Sequence, residues 1–250
     1  MVSKVNVQAV YAQTYDIYKK QMQDGQPKYT AAQLQLIGRS NLIMTAPITA
    51  GMTQANFNIN VTNGNTSAWE IRLAQTDSFT CYRLGIFAYG IIGTSTGPAG
   101  TLSNRMWSYA PFQLAKSFVA IQPLWDDGNL TMILNSMQYV RNWSTSEFYE
   151  APRTQDAPYQ AITTSGTANS ALLGNRDGNS GMIDVEPTLR FNGNWNNQIS
   201  LNWPNAGSSF GPVTNYVYET DNADDVYVSI NYVNIVMAGL LGQNLTTILG

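Results

Sequence analysis

The residue types that most often carry chemistry are nearly absent from this 250-residue chain. It contains no histidine and a single cysteine, Cys81. This composition excludes Ser-His-Asp triads, Cys-His dyads, His-ligated zinc or haem, and cysteine-based zinc or iron–sulfur sites. No GxGxxG or GxxxxGK[ST] phosphate-binding pattern occurs either. We therefore expect no transition-metal or nucleotide cofactor. Cys81 lies in the apolar run "FTCYRLGIF" and is predicted to be a small buried hydrophobic residue.

Paired carboxylates are the remaining catalytic possibility. A glycosidase needs two of them, roughly 5–10 Å apart and facing one groove. Glu147 and Glu150 in "SEFYEAP" are close in sequence, but their odd spacing on a predicted strand directs them to opposite faces. Asp126 and Asp127 fall in a predicted turn, where Asp is common for conformational reasons. The sequence thus predicts that the protein is not an enzyme.

Two acidic loops have a composition that suits calcium. Residues 175–181, "NRDGNSG", offer oxygen ligands at alternate positions but lack the bidentate Glu that completes an EF-hand loop. Residues 219–225, "ETDNADD", offer four carboxylates in seven residues. A solvated loop has the same composition, so no metal is assigned, and calcium binding by residues 219–225 is left open.

Aromatic side chains are the third kind of candidate, and the chain has six tryptophans. Trp195 lies in the polar run 192–197, "NGNWNN", and is predicted to be exposed, whereas the other tryptophans lie in apolar strand patterns and are predicted to be in the core. Sugar-binding sites stack a ring on an exposed aromatic residue beside amide hydrogen-bonding groups. Trp195, Asn194 and Asn196 are therefore candidate interaction residues.

The elements that position these residues are mostly strands. Alternating or continuous apolar runs predict strands at 56–62, 69–73, 81–92, 117–125, 129–140, 146–151 and 226–239. Segments 93–103, 152–181 and 210–225 are predicted to be irregular. Because no helical pattern separates these strands, the sequence predicts an all-β antiparallel β-sandwich or jelly roll.

One stretch, "EPTLRFNGNWNNQISLNWP" (186–204), alternates twice around an asparagine-rich centre. It predicts a β-hairpin whose turn spans residues 192–197. The apolar positions of the two predicted strands should face the core: Leu189, Phe191, Ile199, Leu201 and Trp203.

The N-terminal segment is the only convincing helical region. Val7, Val10, Tyr11, Tyr15 and Tyr18 recur at helical spacing, and Gly25 and Pro27 end the pattern. A second short helix over 31–38, "AAQLQLIG", is predicted to be capped by Thr30. The sequence predicts a helical N-terminal arm (1–38) and one sandwich domain (39–250).

A short amphipathic helix of this kind is marginal alone and requires a partner surface. We expect the apolar face of this helix, formed by Val7, Val10, Tyr11, Tyr15 and Tyr18, to dock on a neighbouring subunit or an internal layer of an assembly.

The surface chemistry predicted from composition is polar and nearly neutral. The chain has 25 Asn, only 5 Lys and a net charge of −3. Such a surface repels copies of itself weakly and suits contact with other copies or with glycans. AT-rich codon usage is an equally good explanation of the asparagines.

No basic stripe for nucleic acid is present, although residues 4–39 are mildly basic. No secretory signal or bilayer-spanning apolar run occurs, so we expect a soluble protein made in a cytoplasm.

The order of elements resembles the capsid proteins of tailless icosahedral bacteriophages built on jelly rolls. The shared features are the short helical arm, the turn-punctuated strands, the stretch 186–204 and the long terminal strand "VYVSINYVNIVMAG". The resemblance implies a virion shell subunit, made in the host cytoplasm, whose partners are copies of itself in trimers or larger bodies and other virion proteins. Many such proteins carry two jelly rolls, whereas the strands predicted here suffice for one. The alternative is a lectin-like or receptor-binding β-sandwich that recognises glycans.

Overall fold

The computed structural model describes residues 6–61, 70–94, 103–108, 120–149, 181–204, 210–218 and 226–245. In chain order the described elements are α1 (Val7–Lys19), β1 (Met22–Gln23), β2 (Gln26–Pro27), α2 (Ala31–Leu34), β3 (Ile37–Pro47), β4 (Gln54–Asn58), β5 (Ser78–Thr94), β6 (Ser103–Trp107), α3 (Pro123–Asp126), β7 (Asn129–Leu134), β8 (Met137–Ser144), a 3-10 helix (Thr145–Phe148), β9 (Met182–Asn192), β10 (Gln198–Asn202), β11 (Val213–Tyr218) and β12 (Val226–Gly242).

The larger sheet, here called sheet one, is built around the long antiparallel pair β5 and β12. Their register runs from Ser78 opposite Gly242 to Thr94 opposite Val226. Along the free edge of β12, β3 pairs with its second half and β11 with its first half. Along the free edge of β5, β9 pairs with its first half and β6 with its second half. β5 and β12 thus form the centre of a six-stranded sheet, with two shorter strands paired on the outer side of each.

The smaller sheet, sheet two, has the order β4-β10-β7-β8, with every pairing antiparallel. β7 and β8 form a tight hairpin. Its two turn residues, Asn135 and Ser136, have φ values of 49° and 64°, the geometry of the type I′ turns that suit the twist of a hairpin. The predicted single strand over residues 129–140 is therefore wrong: it is two strands, and apolar residues on both sides of the turn conceal it in the sequence pattern.

The core lies between the inner faces of the two sheets. Its fully buried side chains alternate along strands of both sheets, as expected for strands with one face inward. They include Phe57, Phe79, Leu84, Leu130, Met132, Phe191, Ile199, Leu201, Ile235 and Met237. The chain is therefore an all-β, antiparallel sandwich with few helices, and the expected fold class is confirmed at that level.

The segment 186–204 is not a hairpin, although its strands lie close to where the sequence predicts them. β9 pairs with β5 in sheet one, whereas β10 pairs with β4 and β7 in sheet two. Residues 193–197 therefore form a corner that carries the chain from one sheet to the other. The five apolar side chains predicted to face the core are all buried.

Two predicted strands are helical instead. Ala120 and Ile121 are helical, and α3 follows with Pro123 in its first turn, where the missing N–H of proline has no cost. The predicted strand at 146–151 is replaced by the 3-10 helix, whose N-cap Ser144 accepts a hydrogen bond from the backbone N–H of Ser146. Apolar runs this short do not distinguish a strand from a buried helical turn.

Several predicted loops and one predicted strand differ from the structure or lie outside the described residues. The predicted loop 210–225 contains β11, and the predicted strand at 69–73 contributes only two isolated bridges, through Ile71 and Leu73. Most of the predicted loop 152–181, both acidic loops except Gly181, and Trp69 and Glu150 lie outside the described residues.

The N-terminal arm has the predicted helices with adjusted ends. The Asn6 side chain caps α1 by accepting from the backbone N–H groups of Gln8 and Ala9. Thr30 caps α2 in a reciprocal capping box with Gln33. Since α2 ends at Leu34 and β3 begins at Ile37, the predicted boundary between residues 38 and 39 falls inside a strand of the sandwich.

Candidate assembly surface

Helix α1 lies across the outer face of sheet one, at the end where Ser78 pairs with both Gly242 and Asn192. A second apolar cluster holds it there. The buried members of this cluster are Val10, Tyr18, Tyr29, Leu34, Ile37, Tyr82, Leu240 and Leu245. The arm therefore uses one stripe of its helix to cover its own sheet.

Tyr18 is the anchor of this contact and has no exposed surface. Its phenol donates a hydrogen bond to Ser78 Oγ, and its ring meets that of Tyr29 edge-on with centroids 6.0 Å apart. Burial raises the pKa of Tyr18 because the phenolate would lose its hydration. The expectation that Tyr18 contacts a neighbouring subunit is thus corrected, because it belongs to the chain's own core.

Val7, Tyr11 and Tyr15 lie beside this buried stripe of α1, where Val7 and Tyr15 pack partly against the second cluster. Val7 and Tyr15 are half-buried, and Tyr11 is 38% exposed. The rings of Tyr11 and Tyr15 stack with centroids 6.4 Å apart. Of the five arm residues that the sequence singled out, Val7, Tyr11 and Tyr15 form an accessible, apolar flank of α1, whereas Val10 and Tyr18 are buried within the chain itself.

This flank borders an open groove of about 290 Å³ between the helix and the sheet, hereafter the α1 groove. One wall comes from α1 and the other from neighbouring residues of β3 and β12. The lining residues are Val7, Gln8, Tyr11, Ile37, Arg39 and Leu240. The groove is apolar except for Gln8 and Arg39, and Arg39 is exposed and has no ion pair within the part of the chain that the structure describes.

The corner 193–197 is held by an inward-facing amide network. Asn197 Nδ2 donates to the backbone oxygen of Asn192 at 2.7 Å and to Asn60 Oδ1 at 3.0 Å. Asn60 Nδ2 donates to the backbone oxygen of Gly193 at 3.0 Å and also to that of Trp195. A corner between sheets leaves backbone carbonyls without strand partners, and these two asparagines satisfy them.

Glycine is required at one position of the corner. The backbone N–H of Gly193 donates to the backbone oxygen of Asp77 at 2.8 Å. An added Cβ at residue 193 would lie 1.7 Å from the backbone oxygen of Ala74. The corner is therefore packed directly on the turn that precedes β5.

The candidate residues of the corner are divided between its two sides. Asn194 and Asn196 are exposed as predicted, and Trp195 is half-buried rather than fully exposed. Asn192 and Asn197 are buried. Of the four asparagines in residues 192–197, two are therefore surface residues.

Two of the four carboxylates considered for catalysis, Glu147 and Asp126, are engaged in local structure. Glu147 accepts a hydrogen bond from Trp143 Nε1 at 2.8 Å, and Asp126 accepts one from Gln122 Nε2 at 2.8 Å. Burial, and next the charge of Asp126, raise the pKa of Tyr149. Within the described ranges, no three His, Cys, Asp or Glu side chains come close enough together to hold a metal ion.

Cys81 is buried, as predicted, and its thiol donates to the backbone oxygen of Arg83 at 3.1 Å. Burial raises the pKa of this thiol to about 12, so it is neutral and unreactive in the folded chain. Trp107, Trp125 and Trp203 are in the core as predicted, whereas Trp143 is half-buried.

Sequence reasoning missed the residues that tertiary packing brings to these sites. Ile37, Arg39 and Leu240 complete the α1 groove only because β3 pairs with β12. Asn60 reaches the corner from the segment that follows β4. In the sequence, Asn60 falls inside the predicted strand 56–62, so no signal set it apart from the other asparagines of that strand.

None of the described helices is long and apolar enough to cross a bilayer. The chain has no match among protein-family models, curated proteins or solved structures.

Proposed function

We propose that the sandwich is a single jelly roll. The observation that supports this is the nesting of its pairings: β3 pairs with β12, β4 with β10, β5 with β9, and β7 with β8. The first of these eight strands thus pairs with the last, the second with the last but one, and so on inward. A long antiparallel hairpin wound into two facing sheets has this pattern, and a jelly roll is that arrangement.

On this fold we propose a structural role, as a shell subunit of a virus, such as a bacteriophage capsid protein. Jelly rolls occur in viral capsids and in lectins. The shell role is supported by a surface of low charge, since charged residues are 12% of the chain. It is also supported by the accessible aromatic flank of α1 beside the α1 groove. Its partners would be copies of itself, in trimers or larger bodies, and other virion proteins.

The test is the behaviour of the purified full chain. We expect light scattering coupled to size exclusion to give trimers, pentamers or larger bodies, and negative-stain electron microscopy to show closed particles of uniform size. A chain that stays monomeric at every concentration, with and without crowding agents, would rule out the shell role.

A glycan-binding module is the second candidate, and Trp195 favours it. The half-buried indole lies between the exposed amides of Asn194 and Asn196, which is the combination of a stacking face and hydrogen-bonding groups that sugar sites use. Screening the monomer on a glycan array tests this function. Binding that disappears in Trp195→Ala, in a chain that does not self-associate, would favour the module over the shell.

A further inference from the structure

We propose that the outer face of sheet two binds an uncharged oligosaccharide, which lies across the outward side chains of β4, β10 and β7. These side chains are called the sheet-two face below. The inference rests on glycan binding, the second of the two proposed functions, and extends the site from the corner 193–197 onto the sheet.

The sheet-two face is the side of the three strands that points away from the core. Along each strand every second residue is buried, and the residues between them are exposed in β4 and half-buried in β10 and β7. The antiparallel registers align these outward residues in three rows across the strands. The first row consists of Gln54, Asn202 and Asn129.

The second row, Asn56, Ser200 and Thr131, lies at the centre of the face. Asn56 Oδ1 accepts from Ser200 Oγ at 2.8 Å and from Gln54 Nε2 at 3.1 Å, so these side chains are already oriented in the free protein. Asn56 Nδ2 has no acceptor among the described residues, and Ser200 Oγ keeps its lone pairs after donating its proton. The centre of the face therefore presents both donors and acceptors to a ligand.

The third row, Asn58, Gln198 and Ile133, adjoins two accessible aromatic residues. Gln198 directly follows the corner that carries the half-buried Trp195. Tyr139 of β8 is exposed and follows the residue that pairs with Ile133. Rings that can stack on a sugar thus lie at one end of the face, and amides extend from there to the other end.

The chemistry of the face determines the class of ligand. Six of its nine side chains are amides, two are hydroxyls, and Ile133 alone is apolar. A nucleic acid needs basic residues against its phosphates, and the nine include none. A protein partner would bury these amides with little apolar gain, whereas the centres of stable protein interfaces are mostly apolar. An uncharged glycan offers hydroxyl groups that pair with amides as both donors and acceptors.

The dimensions of the face indicate an oligosaccharide and not a single sugar. The first and third rows are about 14 Å apart along the strands, and the three strands together are about 10 Å wide. Since this area exceeds that of one pyranose ring, several linked rings are needed to cover it.

A glycan array probed with the full chain tests the class of ligand. The array carries neutral, sialylated and sulfated oligosaccharides, and we expect binding to neutral ones. Binding only to the charged glycans would overturn the inference, because the face has no cation to recognise them.

Two variants in the first row test the position of the ligand, because this row lies at the end of the face away from Trp195. Asn129→Ala and Asn202→Ala should each weaken binding of the best neutral glycan about 3- to 10-fold, as expected for one lost hydrogen bond. Asn41→Ala is the matched control, since Asn41 is an exposed amide on a strand of sheet one. Calorimetric titration measures each affinity, and an unchanged melting temperature shows that each variant is folded.

The outcomes separate this site from glycan binding in general. Weaker binding in both first-row variants but not in Asn41→Ala supports a ligand that extends along the sheet. Binding that is lost in Trp195→Ala but unchanged in both first-row variants is confined to the corner, which overturns this inference and leaves the glycan-binding function standing. Absence of binding to every glycan overturns both. If Asn202→Ala reduces self-association and no glycan binds, the face is instead a contact between copies of the chain.

Discussion

At the scale of single residues, asparagine has two different roles in this chain. Asn60 and Asn197 point inward and satisfy the carbonyls of the corner between the sheets. Asn194 and Asn196 are exposed on the same corner. A composition rich in asparagine therefore does not by itself indicate a surface for assembly, because part of it does structural work where the chain changes sheets.

The inward-facing asparagines should contribute measurably to the free energy of unfolding. Asn197→Ala removes donors to Asn60 and to the backbone of Asn192, and we expect it to lower the free energy of unfolding by about 1–3 kcal/mol, because buried acceptors lose their partner. Asn194→Ala and Asn196→Ala are the controls and should stay within about 0.5 kcal/mol. Urea titration measures each value. Equal effects at the buried and exposed positions would contradict the network described here.

Tyr18 should make the free energy of unfolding depend on pH in the alkaline range. Burial raises its pKa, so the folded chain holds the phenolic proton more tightly than the unfolded chain does. This stabilisation is complete below the unfolded pKa of about 10 and is lost as the pH rises through the higher folded value. We expect Tyr18→Phe to lose stability less steeply above about pH 10, because it has no phenol to ionise at this position.

At neutral pH the same variant should be less stable by about 0.5–1.5 kcal/mol, because the bond to Ser78 is lost. Unfolding free energy measured against pH gives both effects. Tyr139→Phe is the control, since Tyr139 is 57% exposed and its replacement should leave the slope unchanged. A wild-type slope in Tyr18→Phe would show that the phenol is not held in the core.

At the scale of elements, the local pattern of 186–204 predicted the right strands and the wrong partners. Alternation shows which side chains of β9 and β10 face inward, and those side chains are buried. Whether two successive strands pair with each other or join opposite sheets depends on β5, β4 and β7, which are distant in sequence. No local pattern contains that information.

The two sides of this segment should respond differently to truncation. Leu201→Ala should lower the free energy of unfolding by about 2–5 kcal/mol, since Leu201 is fully buried and its removal leaves a cavity. Trp195→Ala should cost less than about 1 kcal/mol, because its indole is half-exposed on the corner. Thermal and urea unfolding of the isolated subunit compare them. If the two variants lose the same stability, Trp195 is a core residue and not available to a partner.

The errors at 117–125 and 146–151 have a different cause. Trp125 is buried, as predicted, and Phe148 is buried as well, so the apolar side chains of both runs lie in the core. The two runs did not reveal a helical period, because α3 and the 3-10 helix are each only about one turn long. The α1 groove could not be predicted for a third reason, since its second wall combines residues of β3 and β12, which become neighbours only by pairing in sheet one.

At the scale of the whole molecule, the arm and the sandwich are one structural unit. The cluster around Tyr18 joins α1 and α2 to β3, β5 and β12. A segment that the sequence presents as an appendage therefore covers part of the outer face of sheet one. One side of α1 packs on sheet one, so only its other side is accessible to the partner that we propose.

Removing residues 1–20 should consequently destabilise the fold as well as change assembly. The deletion uncovers Tyr82, Leu240 and Leu245, which are buried beside α1, and exposing large apolar side chains costs about 1.5–3 kcal/mol each when their burial is fully lost. Tyr11→Ala is the control, and should reduce self-association while leaving unfolding within about 0.5 kcal/mol. Denaturant titration and light scattering of both variants check this. A deletion variant as stable as the full chain would mean that α1 is an independent arm.

The position of β12 in the sheet has a consequence for the order in which the chain folds on the ribosome. β12 lies between β3 and β5 and pairs with both along most of its length, yet it is translated after both of them. Neither strand can complete its hydrogen bonding in sheet one until β12 has emerged, so a nascent chain carries open strand edges until then. Pairing between distant strands is also slow. We therefore expect sheet one to close only after β12 has been synthesised, which would keep shorter nascent chains out of the proposed particle.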